Sequence, residues 1–239
     1  MNVIPTEVKN LLLVSEHMSV SDRFLREAII FNANSGHSFY AEGKTIKHVI
    51  FPADGLGLFT KTNGARETTE LAIVGNEGLI GIEGILGVKK TGTRATAIKS
   101  GIFSAVDKQM VREEMNRNQW FQERVFRYLG LYHANLTQTA FCNQYHSLQE
   151  KFCRLLLVTI DRLGTLEVVL THESIANILG SRRESISVIA GKLQKQDIIN
   201  YKRGRIRVSD KALLREKSCS CYDKCTKEYR MLMDYLVQN

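Results

Sequence analysis

The sequence lacks the features that mark several large classes of protein. Its 239 residues include only two prolines and one tryptophan. No apolar run approaches the ~20 residues of a membrane-spanning helix, and the N-terminus, which carries Glu7 and Lys9, does not have the form of a signal peptide. Gly-rich phosphate loops, HExxH, GxSxG and paired-carboxylate motifs are also missing, so no catalytic residue is predicted. We expect a cytoplasmic protein that is not an enzyme and has no membrane partner.

Acidic residues are scarce within residues 182–207, and the positive charge of the chain is concentrated there. The chain has 33 Lys and Arg against 25 Asp and Glu, a formal net charge of +8. Residues 182–207 hold only Glu184 and Asp197 as acids, against eight bases: Arg182, Arg183, Lys192, Lys195, Lys202, Arg203, Arg205 and Arg207. A segment with such an excess of basic over acidic residues is typical of a polyanion-binding surface.

Short apolar segments punctuated by glycine fill residues 20–106. They read HSFYAEG, TIKHVIFPADG, LGLFTKTNG, TTELAIVGNEG, RATAIKSG and IFSAV. Runs of this length, rich in Val, Ile, Phe and Thr, predict an all-β barrel or sandwich. Pro52 should end the strand that precedes it, because proline has no N–H to donate to a sheet.

Residues 107–140 contain few glycines and have a helical period. Phe121, Val125, Tyr128 and Tyr132 recur at steps of four, three and four, which predicts one apolar stripe on a long helix. Such a stripe could pack on its own domain, but a long helix between two domains often pairs with its copy. We predict that these four residues form the interface of a homodimer.

A helix-turn-helix pattern follows within residues 141–215. Thr171 is a candidate N-cap, Gly180 interrupts the helical pattern, and Arg183 begins a second helix with an apolar inner face. The run IINYKRGRIRV then alternates around Arg203-Gly204, as in a tight hairpin. A basic hairpin at this point is typical of a wing, so the pattern predicts a winged helix-turn-helix that enters the major groove of DNA.

In these three blocks the sequence resembles the Crp–Fnr family of bacterial transcription regulators over nearly its whole length. The blocks are IKHVIFPADGLGLF to TRATAI, residues 107–140, and LTHESIANILGSRRESISVIAGKLQKQDIINYKRGRIRV. The resemblance implies an α+β chain of four parts. They are a cyclic-nucleotide-binding-like β-roll or jelly roll with a helical lead (1–106), a dimerisation helix (107–140), a winged helix-turn-helix (141–215) and a Cys-containing helical tail (216–239).

The resemblance also implies the DNA contacts. Arg183 and Glu184 would read bases, since Arg can bond a guanine edge twice and Glu can accept from cytosine. Ser181, Arg182 and Ser187 would lie near phosphates or groove edges, and the wing residues Lys202, Arg203 and Arg205 would hold phosphates. Many members carry a further Arg where this chain has Val188, so the preferred half-site should differ.

The signal sensed by the β-roll is left open. Members that bind cyclic AMP hold the ribose with a Gly-Glu pair and the phosphate with an Arg followed by Ser or Thr. Here Glu83 is displaced by one residue, which can turn a side chain to the other face, and Ala95 follows Arg94. Glu83 and Arg94 are therefore effector-pocket candidates for a cyclic nucleotide that we expect to bind weakly at best.

Metal and redox sensing are open alternatives. The N-terminal cysteine cluster of iron–sulfur members is missing, because no cysteine precedes Cys142, while His37 or His48 could serve a haem. Cys219, Cys221 and Cys225 could bind a soft metal or act as a redox group, although their spacing is not a standard zinc pattern. Their fourth ligand could be His146, Cys142 or Cys153 only if the fold brings one of them near.

The leading interpretation is a homodimeric, sequence-specific regulator that binds an inverted repeat in double-stranded DNA and contacts RNA polymerase. The alternative is a ligand-binding or redox-sensing protein whose winged helix contacts protein. Arg182 and Arg183 with the basic wing favour DNA, because a protein-docking module does not need that charge.

Overall fold

The computed structural model describes residues 9–16, 18–62 and 68–238. The first seven strands and the helices among them follow in chain order: α1 (Asp22–Glu27), β1 (Ile29–Ala33), β2 (Ser38–Tyr40), β3 (His48–Pro52), β4 (Leu56–Thr62), β5 (Thr68–Val74), α2 (Ile82–Ile85), β6 (Arg94–Lys99) and β7 (Gly101–Asp107). Before the first strand, α1 is the helix that lies where the helical lead was predicted, and residues 1–8 of that prediction lie outside the described residues. The remaining elements are α3 (Lys108–Arg117), α4 (Gln119–Tyr145), α5 (Leu148–Leu163), β8 (Glu167–Val169), α6 (His172–Leu179), α7 (Arg183–Lys195), β9 (Ile199–Lys202), β10 (Arg205–Val208), α8 (Lys211–Glu216) and α9 (Cys221–Gln238).

The N-terminal strands form two sheets with an aromatic core, which confirms the predicted β domain. One sheet has the order β1-β7-β3 and the other β2-β6-β4-β5. Phe39 of β2 and Phe103 of β7 connect them, with ring centroids 4.9 Å apart. β3 ends at Pro52 as predicted. β1 was not predicted, although it pairs with β7 over its full length.

The predicted single helix over 107–140 is wrong in two respects, because the chain forms two helices and the second runs on to Tyr145. Asn118 lies between them with an extended backbone. Its Oδ1 accepts from the N–H of Phe121 at 3.1 Å, and its Nδ2 donates to Glu114 at 3.1 Å. The side chain of Asn118 thus caps the first turn of α4, so the break marks the start of a new helix rather than a distortion within one helix.

The apolar stripe of α4 packs on its own domain, which corrects the predicted interface. Phe121, Val125 and Tyr128 are 0%, 0% and 2% exposed. Phe121 meets Phe24 edge to face, and the hydroxyl of Tyr128 donates to the carbonyl of Leu79 at 2.9 Å. These side chains complete the core of the N-terminal sheets, so they are not available to a second copy.

Tyr132, the fourth residue of that stripe, is half-buried and its ring contacts Phe59 at 5.4 Å. The exposed face of α4 instead carries Phe126, Gly130 and His133, again at steps of four and three. Phe126 is 51% exposed. A Cβ on Gly130 would meet no atom within 4 Å, so the helix backbone itself is accessible there.

The winged helix-turn-helix is confirmed element by element. The sheet β8-β10-β9 flanks α6 and α7. The hydroxyl of Thr171 caps α6 by accepting from Ser174, and Gly180 ends it at a φ of 61°. The inner residues Ile186, Ile189, Ala190 and Leu193 of α7 are buried.

The chain divides into two compact units whose limits differ from the predicted domains. One unit comprises residues up to 59, 73–133 and 229–239, and the other comprises 60–72 and 134–228. The predicted boundaries at 106, 140 and 215 treated each part as continuous. In the structure, α4 and α9 each contribute residues to both units, because the limits of the units at 133 and 229 fall within these two helices.

Candidate nucleic-acid interface

The second helix of the helix-turn-helix presents a polar outer face that begins with Arg183. Arg183, Glu184, Ser187 and Val188 are all exposed, while the buried inner face of α7 consists of Ile186, Ile189, Ala190 and Leu193. Val188 is 58% exposed, so its methyl groups are accessible on the same side of α7. An exposed Arg, a carboxylate and a methyl-bearing side chain on one helix are the groups that distinguish guanine, cytosine and thymine in the major groove.

The eight basic residues of segment 182–207 are all exposed. Among the described residues, only Arg205 of the eight forms an ion pair, with Glu167 on the neighbouring strand at 2.9 Å. Sequence reasoning missed Glu167 because it lies 38 residues away. Arg205 is therefore partly neutralised, whereas Lys202, Arg203 and Arg207 keep their charge for an external anion.

The tip of the wing is a two-residue turn between β9 and β10. Lys202 and Arg205 pair across it, and the two residues between them, Arg203 and Gly204, have φ values of 49° and 78°. Positive φ at both positions matches the twist of the strands and is easy only for the glycine. The turn holds Arg203 at the outermost point of the hairpin.

A small group that sequence reasoning missed connects the start of α6 to α7 and to the wing. Nδ1 of His172 lies 2.9 Å from Oγ of Ser187, and its ring stacks on Tyr201 at 4.0 Å. The same Oγ is 3.0 Å from the carbonyl of Arg183. Burial, and after it the charge of Arg183, lowers the pKa of His172 below its usual value. Burial therefore favours the neutral form of His172, and its contact with Ser187 connects the start of α6 to the first turn of α7.

Two of the predicted phosphate contacts are less available than the others. The Oγ of Ser181 is buried and has no hydrogen-bond partner among the described residues. The hydroxyl of Ser187 is already engaged by His172 and by the carbonyl of Arg183. Arg182 is exposed and makes no side-chain cap to α7.

In the N-terminal unit, the two effector-pocket candidates do not meet. Glu83 lies in α2, where its carboxylate accepts from the hydroxyls of Thr93 at 2.9 Å and Thr91 at 3.4 Å. Burial, and then the charge of Glu83, raises the pKa of Tyr40, whose hydroxyl is 3.5 Å from that carboxylate. Arg94 is exposed at the start of β6, next to the buried Ala95.

Two of the three tail cysteines meet two of the partners considered from the sequence. Cys219 and Cys221 lie with Cys142 and His146 in one group, and Cys225 is not part of it. All five cysteines are buried, and none forms a disulfide. The hydrogen bond between the sulfurs of Cys142 and Cys219 lowers the pKa of Cys219 and raises that of Cys142.

One helix among the described residues, α4, is 27 residues long, but neither it nor any other described helix is long and apolar enough to cross a membrane.

The chain was also compared with known proteins. No curated protein matches it by sequence. Residues 150–217 match the family model of the Crp-like helix-turn-helix domain.

Solved structures share the fold. A CRP-family transcriptional regulator from Thermus thermophilus is 20% identical, with a TM-score of 0.67 over 79% of this chain and 96% of its own. FixK2 from Bradyrhizobium japonicum is 15% identical, with a TM-score of 0.70 over 81% and 98%. The c-di-GMP-responsive regulator CLP from Xanthomonas campestris is 10% identical, with a TM-score of 0.66 over 78% and 96%. The predicted resemblance is confirmed for the fold and for the helix-turn-helix domain.

Proposed function

We propose that this protein is a homodimeric regulator that reads an inverted repeat in double-stranded DNA. The premise is that the chain carries a Crp-like helix-turn-helix domain and has the fold of the CRP/FNR transcriptional regulators. One observation carries this proposal. Segment 182–207, which contains α7 and the wing, holds seven exposed basic side chains with no carboxylate partner among the described residues. A protein-docking surface has no use for that charge, and a phosphate backbone does.

The base contacts follow from the outer face of α7. Arg183 lies in its first turn and would bond a guanine edge through two hydrogen bonds, while Glu184 would accept from cytosine. Val188 lies one turn further on, where its methyl groups would contact a thymine methyl group. A thymine at this step of the half-site would replace the base that an Arg reads in other members.

The phosphate contacts come from charge and position. Lys202 and Arg203 at the wing tip, with Arg182 before α7, would hold the backbone on either side of the groove. Arg205 would have to exchange its ion pair with Glu167 for a phosphate. Because this exchange removes an existing interaction, Arg205 should contribute less than Arg203.

The dimer is proposed through the exposed face of α4 rather than through its buried stripe. Phe126 and His133 flank Gly130, whose lack of a side chain allows two helix backbones to approach closely. A two-fold axis at this helix would present two recognition helices about 34 Å apart, one turn of DNA. The operator must then be an inverted repeat.

The sensing role belongs to the N-terminal unit, and its effector is not assigned. Glu83 is satisfied by its own threonines, and Arg94 lies on the exposed side of β6. These observations favour an effector other than a cyclic nucleotide. Because regulators of this type act on transcription, we place the protein in the cytoplasm with RNA polymerase as a further partner.

Selection from a pool of random duplexes with the purified full chain tests this function. We expect an inverted repeat whose half-site centres are about one turn apart. Binding of the selected duplex should weaken steeply with salt, because counterions are released from several phosphates per subunit. Failure to enrich any duplex, together with no salt-dependent binding of mixed DNA, would contradict the proposal.

A further inference from the structure

Four side chains with soft or borderline donor atoms converge at the place where the tail begins. Cys142 lies in the last turn of α4 and His146 follows that helix directly, while Cys221 begins α9 and Cys219 lies two residues before it. Their Sγ and imidazole nitrogen atoms are all within 4.8 Å of one another. The three cysteines are at most 4% exposed.

The spacing of these atoms corresponds to a single tetrahedral ion. Zn–S bonds of ~2.3 Å and Zn–N bonds of ~2.0–2.1 Å place tetrahedral ligand atoms about 3.5–3.8 Å apart. The Sγ atoms of Cys142 and Cys219 are 3.6 Å apart. Sγ of Cys221 and Nδ1 of His146 are 3.5 Å apart. We propose that Cys142, His146, Cys219 and Cys221 form a Cys3His zinc site.

Local structure holds each pair of ligands in place. The N–H of His146 donates to the carbonyl of Cys142 at 3.1 Å, which continues the helical turn one residue beyond α4 and places the two residues, four apart, on the same side. A turn at the start of α9, closed by the N–H of Tyr222 and the carbonyl of Cys219 at 3.1 Å, brings Cys219 beside Cys221. The side chains therefore meet without any change of backbone.

The surroundings support a thiolate site. Nε2 of Gln138 donates to Sγ of Cys221 at 2.9 Å, the kind of outer contact that orients a metal ligand and stabilises its charge. Four protein ligands leave no open position, which is typical of a structural rather than a catalytic zinc. An iron–sulfur cluster needs its thiolates spread around several iron atoms, and this group is too tight for that.

Bound zinc would fix the first turn of α9 to the last turn of α4. This inference is independent of DNA binding, because it rests on residues outside α7 and the wing. It also assigns different roles to cysteines that the sequence makes look equivalent. Cys225 lies one turn beyond Cys221 on the same helix, and Cys153 is fully buried on α5, yet neither belongs to the group of four.

The test is the metal content of the full chain, purified without chelators and measured by mass spectrometry. We expect one zinc per chain in the parent protein. Cys142→Ser, Cys219→Ser and His146→Gln should each hold less than a tenth of that amount. The matched controls Cys225→Ser and Cys153→Ser should keep one zinc, although they also remove a buried thiol.

Cobalt provides a second readout that does not depend on how a variant folds. Metal-free parent protein titrated with Co²⁺ alone should develop thiolate charge-transfer and tetrahedral visible bands that saturate at one equivalent. X-ray absorption of the zinc form should show three sulfur ligands and one nitrogen ligand. A chelator should lower the melting temperature of the parent protein and of Cys225→Ser.

Several results would overturn the site. They are a parent protein with no bound zinc and no saturable cobalt spectrum, a Cys225→Ser variant that loses the metal as Cys219→Ser does, or a disulfide between Cys142 and Cys219 in freshly purified protein. Iron with acid-labile sulfide in place of zinc would also contradict it.

Discussion

Phe126→Ala should dissociate the proposed dimer and leave the subunit folded. Val125→Ala should instead destabilise the subunit and leave the dimer intact. The two residues are neighbours on α4 with opposite environments. Val125 is 0% exposed and packs inside its own unit, and Phe126 is 51% exposed. The pair therefore separates the buried stripe from the proposed interface by a single step along the chain.

The magnitudes follow from the surface that each side chain buries. A Phe side chain carries about 200 Å², so roughly 100 Å² of Phe126 is available to a partner. At ~25 cal/mol per Å² this is about 2.5 kcal/mol per subunit and about 5 kcal/mol for a two-fold dimer. The dimer dissociation constant should then rise by roughly three to four orders of magnitude. Val125→Ala should lower the free energy of unfolding by roughly 2 kcal/mol.

Sedimentation velocity across nanomolar to tens of micromolar protein measures the first effect, and urea unfolding measures the second. We expect the parent protein and Val125→Ala to sediment as dimers at micromolar concentration, and Phe126→Ala as a monomer with unchanged circular dichroism. A parent protein that is monomeric at tens of micromolar would refute the dimer. A Phe126→Ala variant with the parent's dissociation constant would refute this face as its interface.

Three further outcomes are expected. Tyr128→Phe should cost about 1–2 kcal/mol of unfolding free energy, because the buried carbonyl of Leu79 loses its donor; an unchanged urea midpoint would contradict this. Glu70→Ala should cost roughly 3–5 kcal/mol, because Arg154, 4% exposed, would keep its buried charge without the carboxylate 3.5 Å away; thermal unfolding at two protein concentrations measures it, and a melting temperature equal to the parent's would exclude it. Calorimetry with cyclic AMP should give no submicromolar binding, since Glu83 is already hydrogen-bonded by Thr93; a submicromolar constant would show that this carboxylate is free to exchange partners.

The elements that sequence alone predicts correctly are those whose start and end are set by local chemistry. Thr171 caps α6, Gly180 ends it, and Arg203-Gly204 closes the wing, all through contacts within a few residues. Pro52 ends β3 for the same reason. The buried face of α7 is also predictable from the spacing of its apolar residues alone, because a short helix in a small domain can pack only against the single core of that domain.

The elements that it predicts wrongly depend on partners far along the chain. The period of Phe121, Val125 and Tyr128 identifies an apolar stripe but not what covers it, and Phe24 and Leu79 lie many residues away. Likewise, the spacing of the tail cysteines in the sequence makes Cys225 as good a candidate ligand as Cys221. Only the fold brings Cys142 to Cys219, 77 residues apart in the chain.

The effect of Arg183→Ala on cognate and scrambled duplexes tests sequence-specific reading by α7 most directly. Fluorescence anisotropy at several salt concentrations would compare it with Arg203→Ala and with Lys90→Ala, which removes an exposed charge far from α7 in the sequence. Arg183→Ala should lose ~1–3 kcal/mol per contact on the cognate duplex and little on the scrambled one. Arg203→Ala should weaken both duplexes and reduce the salt slope by about 0.9 for each phosphate lost, and Lys90→Ala should match the parent. Equal losses on both duplexes for Arg183→Ala would contradict base reading by this helix.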